Sequence, residues 1–423
     1  MMRHFYTFLM YLLQPFVLLF MLIRSLKAPQ YRRRFGERYG FYRNLTAPQA
    51  QGVLIHAASV GEVIAATPLI RRIQTDYPEL AVTVTTMTPT GSERVKAAFG
   101  DSVTHVYLPY DLPDAVARFI RFIRPKLCIV IETELWPNLI HGLHLHQIPF
   151  IIANARLSAR SARRYVKFKG ALREMLSEIE LIAPQDEFSE KRYREIGYRG
   201  KICLTGNIKY DLHIGDELFN KINELKAKIG KRPVWIAAST HQGEEEIILK
   251  SYRTLLQKYP NLLLVLVPRH PEQFNAVAEM IEKAGFTYAR RSTNGTPNAD
   301  TRIFLGDTMG ELMLLYGTAD LAFVGGSLIK RGGHNPLEPL AFKCPVISGK
   351  YTFNFPEVFA KLKQVGGVIE IEENDAVLSQ AVTDLLDNKT LRERLANAGY
   401  TVLTENRGAL QRLLDLLKPY LEK

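Results

Sequence analysis

Short apolar runs alternate with amphipathic segments through most of this chain, and that alternation leaves few folds open. The runs at 53–57, 81–87, 103–108, 127–131, 150–153, 181–183 and 202–205 are short and carry no Lys, Arg, Asp or Glu. Strands of that kind are buried on both faces, as in a parallel sheet covered by helices. A polar stretch at 206–232, with a charged helical segment at 217–229, interrupts the pattern. It then resumes at 234–238, 262–267, 303–305, 321–324, 346–347 and 368–371. The fold class that follows is α/β, with two Rossmann-like, doubly wound domains. A length of 423 residues suits two domains of roughly 200 residues better than one core. The last helical pattern, 409–421, puts Leu410, Leu413, Leu414 and Leu417 on one face.

The N-terminus is of a different kind. Residues 5–23 contain no charge, and as one helix they would reach about 28 Å, close to the roughly 30 Å hydrocarbon core of a bilayer. Arg24, Lys27, Arg32, Arg33, Arg34 and Arg38 follow where a signal peptide would have small residues. That density of positive charge favours a membrane-anchoring helix with the next domain on the cytoplasmic side. Gln14-Pro15 weakens a straight span, so a helix lying in the inner leaflet stays open beside a spanning one. The expected boundaries are an anchoring helix at 1–27, a first domain at 28–210, a connection at 211–232, a second domain at 233–405 and a terminal helix at 406–423.

The net charge of +12 implies an anionic partner, and nucleic acid, anionic lipid and phosphorylated substrate all satisfy it. Arg156, Arg160, Arg163, Arg164, Lys167 and Lys169 form a dense cationic run around Tyr165 and Phe168. It reads as a solvated helix face or as a binder of lipid head groups and phosphates. RNA would also fit, but no aromatic RNA-recognition motif or zinc spacing accompanies the run. Cys128, Cys203 and Cys344 are too scattered for a disulfide framework or metal spacing and read as buried thiols in a reducing compartment. His141, His144 and His146 have metal-like spacing, but they fall on a predicted helix and its end without a second cluster, which favours a structural or exposed role. No DxD carboxylate pair follows a strand, so no metal or other cofactor is expected.

Two strand ends carry the chemistry. Val324-Gly325-Gly326-Ser327 closes a strand in a glycine turn, and Gly332-Gly333-His334-Asn335-Pro336-Leu337-Glu338 leads into a helix. Glycines let a backbone approach a phosphate, N–H groups at a helix start attract anions, and Glu338 can accept hydrogen bonds from sugar hydroxyls. An ordinary strand-to-helix connection is the other reading. In the first half the 53–58 run enters Ser59-Val60-Gly61-Glu62, with Glu62 where open α/β sheets bind ligands. Glu62 suits a base, and equally suits stabilisation of the helix start. Glu132 and Glu134 flank Thr133 after the 127–131 run and would share a face in a strand-like continuation. Capping of the helix begun by Trp136-Pro137 is their other role. Lys209 is a cation for phosphate or carboxylate, or solvent-facing. Arg269, held between Pro268 and the Pro271 that follows His270, suits anion binding or ties down a loop.

Five motifs in order, SVGE at 59–62, ETELWPN at 132–138, GNIKYD at 206–211, PRHPE at 268–272 and GGHNPLEP at 332–339, resemble the landmarks of the bacterial Kdo transferases. Those are glycosyltransferases of GT-B architecture that move 3-deoxy-D-manno-octulosonic acid (Kdo) from CMP-Kdo to a lipid A precursor. The resemblance implies that Glu62 is the catalytic base, that Glu132 supports the transition state and that Lys209 is its cationic counterpart. It implies a CMP site made by Arg269 and His270, by the backbone of Met309, Gly310 and Glu311, and by Asn335, Pro336, Leu337 and Glu338, the last on the ribose. It also implies that the terminal region crosses back onto the first domain.

By this reading the chain is an inverting transferase at the cytoplasmic face of an inner membrane. Its partners are CMP-Kdo, a lipid A precursor whose phosphates meet Arg160, Arg163 and Arg164, and membrane lipids, with no nucleic acid. Two rivals stand beside it: a GT-B transferase for another sugar nucleotide, and a basic, membrane-tethered lipid- or RNA-binding protein without turnover.

Overall fold

A computed structural model describes residues 2–422 apart from Asn44, His213 and Asn294, with Met2, Lys27 and Ala171 described by backbone alone. The side chain of Lys27, part of the basic stretch after the apolar N-terminus, lies outside the described residues. The chain forms two compact units, Met1–Asp211 with Arg407–Lys423, and Leu212–Asn406.

The first unit is built on a seven-stranded sheet. Its strands are β1 (Val53–His56), β2 (Val82–Thr86), β3 (Thr104–Tyr107), β4 (Leu127–Ile131), β5 (Phe150–Ala155), β6 (Leu181–Pro184) and β7 (Lys201–Ile202). Their order is β3-β2-β1-β4-β5-β6-β7, and every pairing is parallel. The two-residue period of a strand explains why both faces are apolar. Val53, Ile55, Leu127 and Ile129 point into one core with Val63, Leu69 and Ile70. Leu54, Cys128 and Val130 point into the other with Phe119, Leu139 and Leu143. Strand order reverses between β1 and β4, which opens a crevice at their carboxyl ends.

The terminal helix, Ala409–Leu421, belongs to this unit. Leu413, Leu414 and Leu417 join the first of the two cores. Asp211 accepts hydrogen bonds from the N–H groups of Gly408 and Leu410, and Lys126 Nζ donates to Leu421 O. Both ends of the helix are thereby fixed.

The single N-terminal helix expected from residues 5–23 is corrected. Two helices, Met2–Leu12 and Gln14–Lys27, meet at a bend of 48°. Pro15 has no N–H to continue the ladder and is accommodated in the first turn of the second helix. Gln14 is satisfied locally, donating to Met10 O at 2.9 Å and accepting from the Tyr39 hydroxyl at 3.0 Å. No single helix among the described residues is long and apolar enough to cross a membrane, although the bent pair is by length and composition. The first helix is docked through Thr7, whose hydroxyl donates to Asn138 Oδ1, and Tyr11, whose hydroxyl donates to Asp114. Phe5, Phe8, Phe16, Leu19, Phe20 and Leu22 remain exposed.

The second unit repeats the plan with β8 (Val234–Thr240), β9 (Leu263–Pro268), β10 (Tyr288–Arg290), β11 (Ile303–Leu305), β12 (Leu321–Val324), β13 (Val346–Gly349) and β14 (Val368–Ile371). The order is β10-β11-β9-β8-β12-β13-β14, again parallel, with the reversal between β8 and β12. The three-residue edge strand β10 has no apolar run to announce it. Ile222, Leu225 and Ile229 of the Asp216–Ile229 helix pack into this unit's core. Cys128 and Cys344 are buried and Cys203 is half-buried, all as free thiols. His141 is bonded to Glu178, and His146 to the Gly142 carbonyl, at 2.7 and 2.8 Å.

Candidate active site

In the first unit, the chain leaves β1 through Ala57-Ala58 and enters the Val60–Asp76 helix, which Ser59 caps. The Ser59 hydroxyl oxygen accepts from the Glu62 N–H at 3.4 Å. The Glu62 carboxylate accepts in return from the Ala58 N–H at 2.7 Å and the Ser59 hydroxyl at 3.2 Å. This reciprocal arrangement is a variant of the capping box in which the carboxylate reaches the N–H one residue before the cap, so the structural role foreseen for Glu62 is real. It does not exhaust the residue. Burial, opposed by the Ala58 hydrogen bond and reinforced by the charges of Glu132 and Glu134, pushes the carboxyl up to about 7. A carboxyl poised there takes and releases protons at neutral pH, as a general base must.

Across the same crevice, Glu132 follows β4 with φ of 63°. This left-handed residue turns the chain abruptly, so the expectation that Glu132 and Glu134 share a face as a strand continuation is corrected. Instead Glu132 Oε1 lies 2.8 Å from Lys209 Nζ. The lysine is placed by its neighbours: Asn207 Oδ1 accepts from the Lys209 N–H at 3.0 Å. Asn154, itself left-handed with φ of 50°, accepts from the Ile208 N–H at 3.1 Å. Burial raises the Glu134 carboxyl as well. Glu62, Glu132 and Lys209, which are 147 residues apart at their extremes, therefore form one cluster at a carboxyl edge.

Arg160, Arg163 and Arg164 lie on the exposed Ala159–Val166 helix, where only Ala162 is buried. Among the described residues no bond joins them to the cluster. Tyr165 on the same helix is close enough to Glu134 for its hydroxyl to be raised, first by burial and then by that charge.

In the second unit, the glycine turn is not the phosphate cradle expected from its sequence. The N–H groups of Gly326, Ser327 and Leu328 donate to the Glu244 carboxylate at 2.7, 3.0 and 3.0 Å, and the His241 N–H adds a fourth bond at 3.0 Å. Donors held by a buried carboxylate are not available to an anion. Gly325 is needed for packing: a Cβ there would stand 2.5 Å from Ser239 O.

Arg269 follows β9 and donates its backbone N–H to Thr240 O at 2.9 Å. The His270 ring stands 5.2 Å from that of His241. Met309 is exposed and Gly310 is left-handed. The Glu311 side chain is engaged by Arg291 at 2.6 Å and by the Thr308 hydroxyl, which leaves the backbone of this turn as its presenting surface. Arg291 holds the Glu311 carboxyl below the usual range. Asn335 Oδ1 accepts from the Leu337 N–H at 3.1 Å, and its amide reaches Glu338 Oε1 at 3.3 Å, in a one-turn helix at Leu337–Leu340 that follows Pro336.

The sequence reading missed His241 and Glu244. Their signal was present in Ser239-Thr240-His241-Gln242-Gly243-Glu244, which repeats across the end of β8 the polar turn, glycine and glutamate found after β1. The two glutamates differ in use: Glu244 is saturated by four backbone donors, whereas Glu62 retains a titrating carboxyl.

Two parallel, doubly wound units, the first with an acid and lysine cluster at its carboxyl edge, define a glycosyltransferase of the GT-B architecture. Residues 33–212 match the family described as 3-deoxy-D-manno-octulosonic-acid transferase (kdotransferase), and residues 231–402 match glycosyl transferases group 1. A 3-deoxy-D-manno-octulosonic acid transferase of Haemophilus influenzae is 64% identical over 423 residues, covering 100% of this chain and 99% of the relative. One of Bordetella pertussis is 32% identical, covering 89% of each. The chain belongs to the 3-deoxy-D-manno-octulosonic acid transferase family. In fold alone it is similar to a UDP-GlcNAc 2-epimerase from Neisseria meningitidis bound to UDP-GlcNAc. That likeness has a TM-score of 0.56 at 16% identity and covers 87% of this chain and 100% of the epimerase.

Proposed function

We propose that this transferase moves Kdo from CMP-Kdo to a hydroxyl of a lipid A precursor, with inversion, at the cytoplasmic face of an inner membrane. The observation that carries the reading is Glu62, a partly buried carboxyl pushed up to about 7 beside the Glu132–Lys209 pair. Glu62 takes the proton of the acceptor hydroxyl as the new glycosidic bond forms. Glu132 faces the positive charge that develops on the sugar, and Lys209 fixes that carboxylate and offers a cation to the donor's anionic groups. Arg269, His270, the 309–311 backbone and Asn335 to Glu338 hold the nucleotide. Arg160, Arg163 and Arg164 attract the acceptor's phosphates and anionic lipid, and the exposed apolar side chains of the two N-terminal helices enter the membrane.

Incubating the purified chain with CMP-Kdo and a lipid A precursor, and measuring CMP release, tests the reading. Release only when both are present supports it. Release with another sugar nucleotide in place of CMP-Kdo would assign a different donor, and binding without release would favour the non-catalytic rival.

A further inference from the structure

The turn that follows β11 is held on both sides by ion pairs, and both cations come from the end of the edge strand β10. Arg290 Nε donates to Asp307 Oδ2 at 2.7 Å, and the same carboxylate accepts from the Ser292 N–H at 2.8 Å and its hydroxyl at 2.5 Å. Arg291 forks onto Glu311, Nε to Oε2 at 3.0 Å and Nη2 to Oε1 at 2.6 Å, and the Thr308 hydroxyl donates to that carboxylate as well. Asp307 is buried, and Gly306 before it is locked by packing: a Cβ there would stand 2.7 Å from Leu315 Cδ1 and 2.9 Å from Val267 Cγ2. The chain is thus fixed at 307 and again at 311.

Between those two points the backbone is uncommitted. Met309 and Gly310 are exposed, and among the described residues no N–H or C=O group of Thr308, Met309 or Gly310 bonds to the rest of the chain. Gly310 has a φ of 87°, which belongs to the peptide orientation of a type II turn and not to that of a type I turn. The two orientations differ by a half-turn of the peptide joining Met309 to Gly310, which exchanges the directions of its N–H and C=O. Glycine takes either sign of φ at little cost, so the choice falls to whatever fixes the ends.

A pyrimidine edge is sensitive to that choice. Cytosine presents an N4–H donor beside the N3 acceptor and uracil an O4 acceptor beside an N3–H donor, so a flipped peptide exchanges which base is complementary. With Glu338 on the ribose and the Arg269 cation suited to the phosphate, the uncharged tip at 308–310 is left to the base. We propose that Arg291 is a positioning residue that, through Glu311, holds the Met309–Gly310 peptide in the orientation that reads cytosine, and so sets the preference for a cytidine over a uridine nucleotide. This deepens the CMP-binding reading and rests on it. The Arg290–Asp307 pair fixes the other end of the same tip. Both guanidinium charges are matched by carboxylates, so what Arg291 contributes to recognition is direction.

Calorimetric titration of the full chain with CMP and with UMP is the test, read as the ratio of the two Kd values. The unaltered chain should bind CMP more tightly by about tenfold or more, the usual cost of one wrong base edge. Arg291→Met releases Glu311 and should bring the ratio toward one, chiefly by weakening CMP. Arg291→Lys keeps the charge without the fork and should fall between. Gly310→Ala reaches the same peptide by another route: a Cβ there meets nothing within 4 Å, so the change acts by disfavouring the positive φ, and the ratio should fall again. An unchanged ratio in either Arg291→Met or Gly310→Ala, with both nucleotides weakened alike, overturns the proposal. Equal affinity of the unaltered chain for CMP and UMP also overturns it, with the nucleotide site left in place, whereas failure to bind CMP at all overturns the reading on which it rests. If Arg291→Met folds poorly, the exposed Gly310→Ala decides.

Discussion

Lys209 Nζ stands 2.8 Å from Glu132 Oε1 although the two residues are 77 apart in sequence. The pair forms because β4 ends in a left-handed glutamate while the loop after β7 returns to the same carboxyl edge, held by Asn154 and Asn207. Both side chains are about one-fifth exposed. An ion pair so placed is worth little as a stabiliser, but it fixes the direction of two charges next to Glu62.

Glu62→Gln keeps the shape and can still accept from the Ala58 N–H, yet it cannot take a proton. Loss of such a base costs about 100- to 10,000-fold in kcat, with nucleotide affinity retained. In the unaltered enzyme the base must be ionised to work. Because burial lifts Glu62 to about 7, activity should fall as pH drops through that value and level off above it. A single-turnover pH profile measures both; near-normal turnover in the variant would remove Glu62 from the chemistry.

Removing Lys209 should move that acid limb. In Lys209→Met the Glu132 carboxylate loses its cation and repels the ionised form of Glu62 more strongly, so the limb shifts to higher pH and kcat at pH 7 falls. In Glu132→Gln one repelling charge is gone, so the limb shifts to lower pH. The double variant should be less impaired than the product of the single effects, because the two residues act as a unit. Additive losses with an unmoved limb would mean that the pair does not tune Glu62.

How much of this was legible in the chain follows from what each residue's signal was. Strands such as β4 and β9 were readable because five or six apolar residues in a row have few other uses. The edge strand β10, with Tyr288-Ala289-Arg290, had no such run. Glu62 was readable as an acid after a strand, but its rise toward 7 comes first from burial and then from the charges of Glu132 and Glu134 beyond β4, none of which a local pattern encodes. The left-handed turn at Glu132 was hidden because nothing in Ile131-Glu132-Thr133 demands a positive φ. The glycine turn misled for a related reason: glycines advertise backbone N–H groups but do not reveal that Glu244, 82 residues earlier than Gly326, accepts them.

Glu244 yields a stability prediction. Four N–H groups converge on its carboxylate in a fully buried position. Glu244→Gln replaces one accepting oxygen with a donor that faces those N–H groups, which should cost roughly 3 kcal/mol. The carbonyls of Gly326 and Gly325 also accept from the Gly333 and His334 N–H groups that lead into Asn335, so CMP affinity should fall together with the melting temperature of the second unit. An unchanged melting curve with intact CMP binding would show that the network is dispensable.

The N-terminal helices give the last prediction. Phe5, Phe8, Phe16, Phe20 and Leu22 are exposed on a bent pair docked to the first unit by polar bonds that include those from Arg3, Tyr6, Thr7, Tyr11 and Gln14. Those bonds are replaceable by water, and Asn138 keeps its own support, since Asp111 accepts its backbone and side-chain N–H groups at 2.9 and 2.7 Å. Deleting residues 2–24 should therefore leave both units folded and active on a detergent-dispersed acceptor. Binding of the truncated chain to anionic vesicles should persist at low salt, carried by Arg32, Arg33 and the Arg163 helix, and disappear at high salt. Exposed charge attraction is screened over about 8 Å at physiological ionic strength, whereas insertion of apolar side chains is not. Co-sedimentation across a salt series separates the two contributions. If the truncated chain stays bound at high salt, the main anchor lies elsewhere in the first unit, and the exposed Val166 and Phe168 beside the cationic helix become the residues to test.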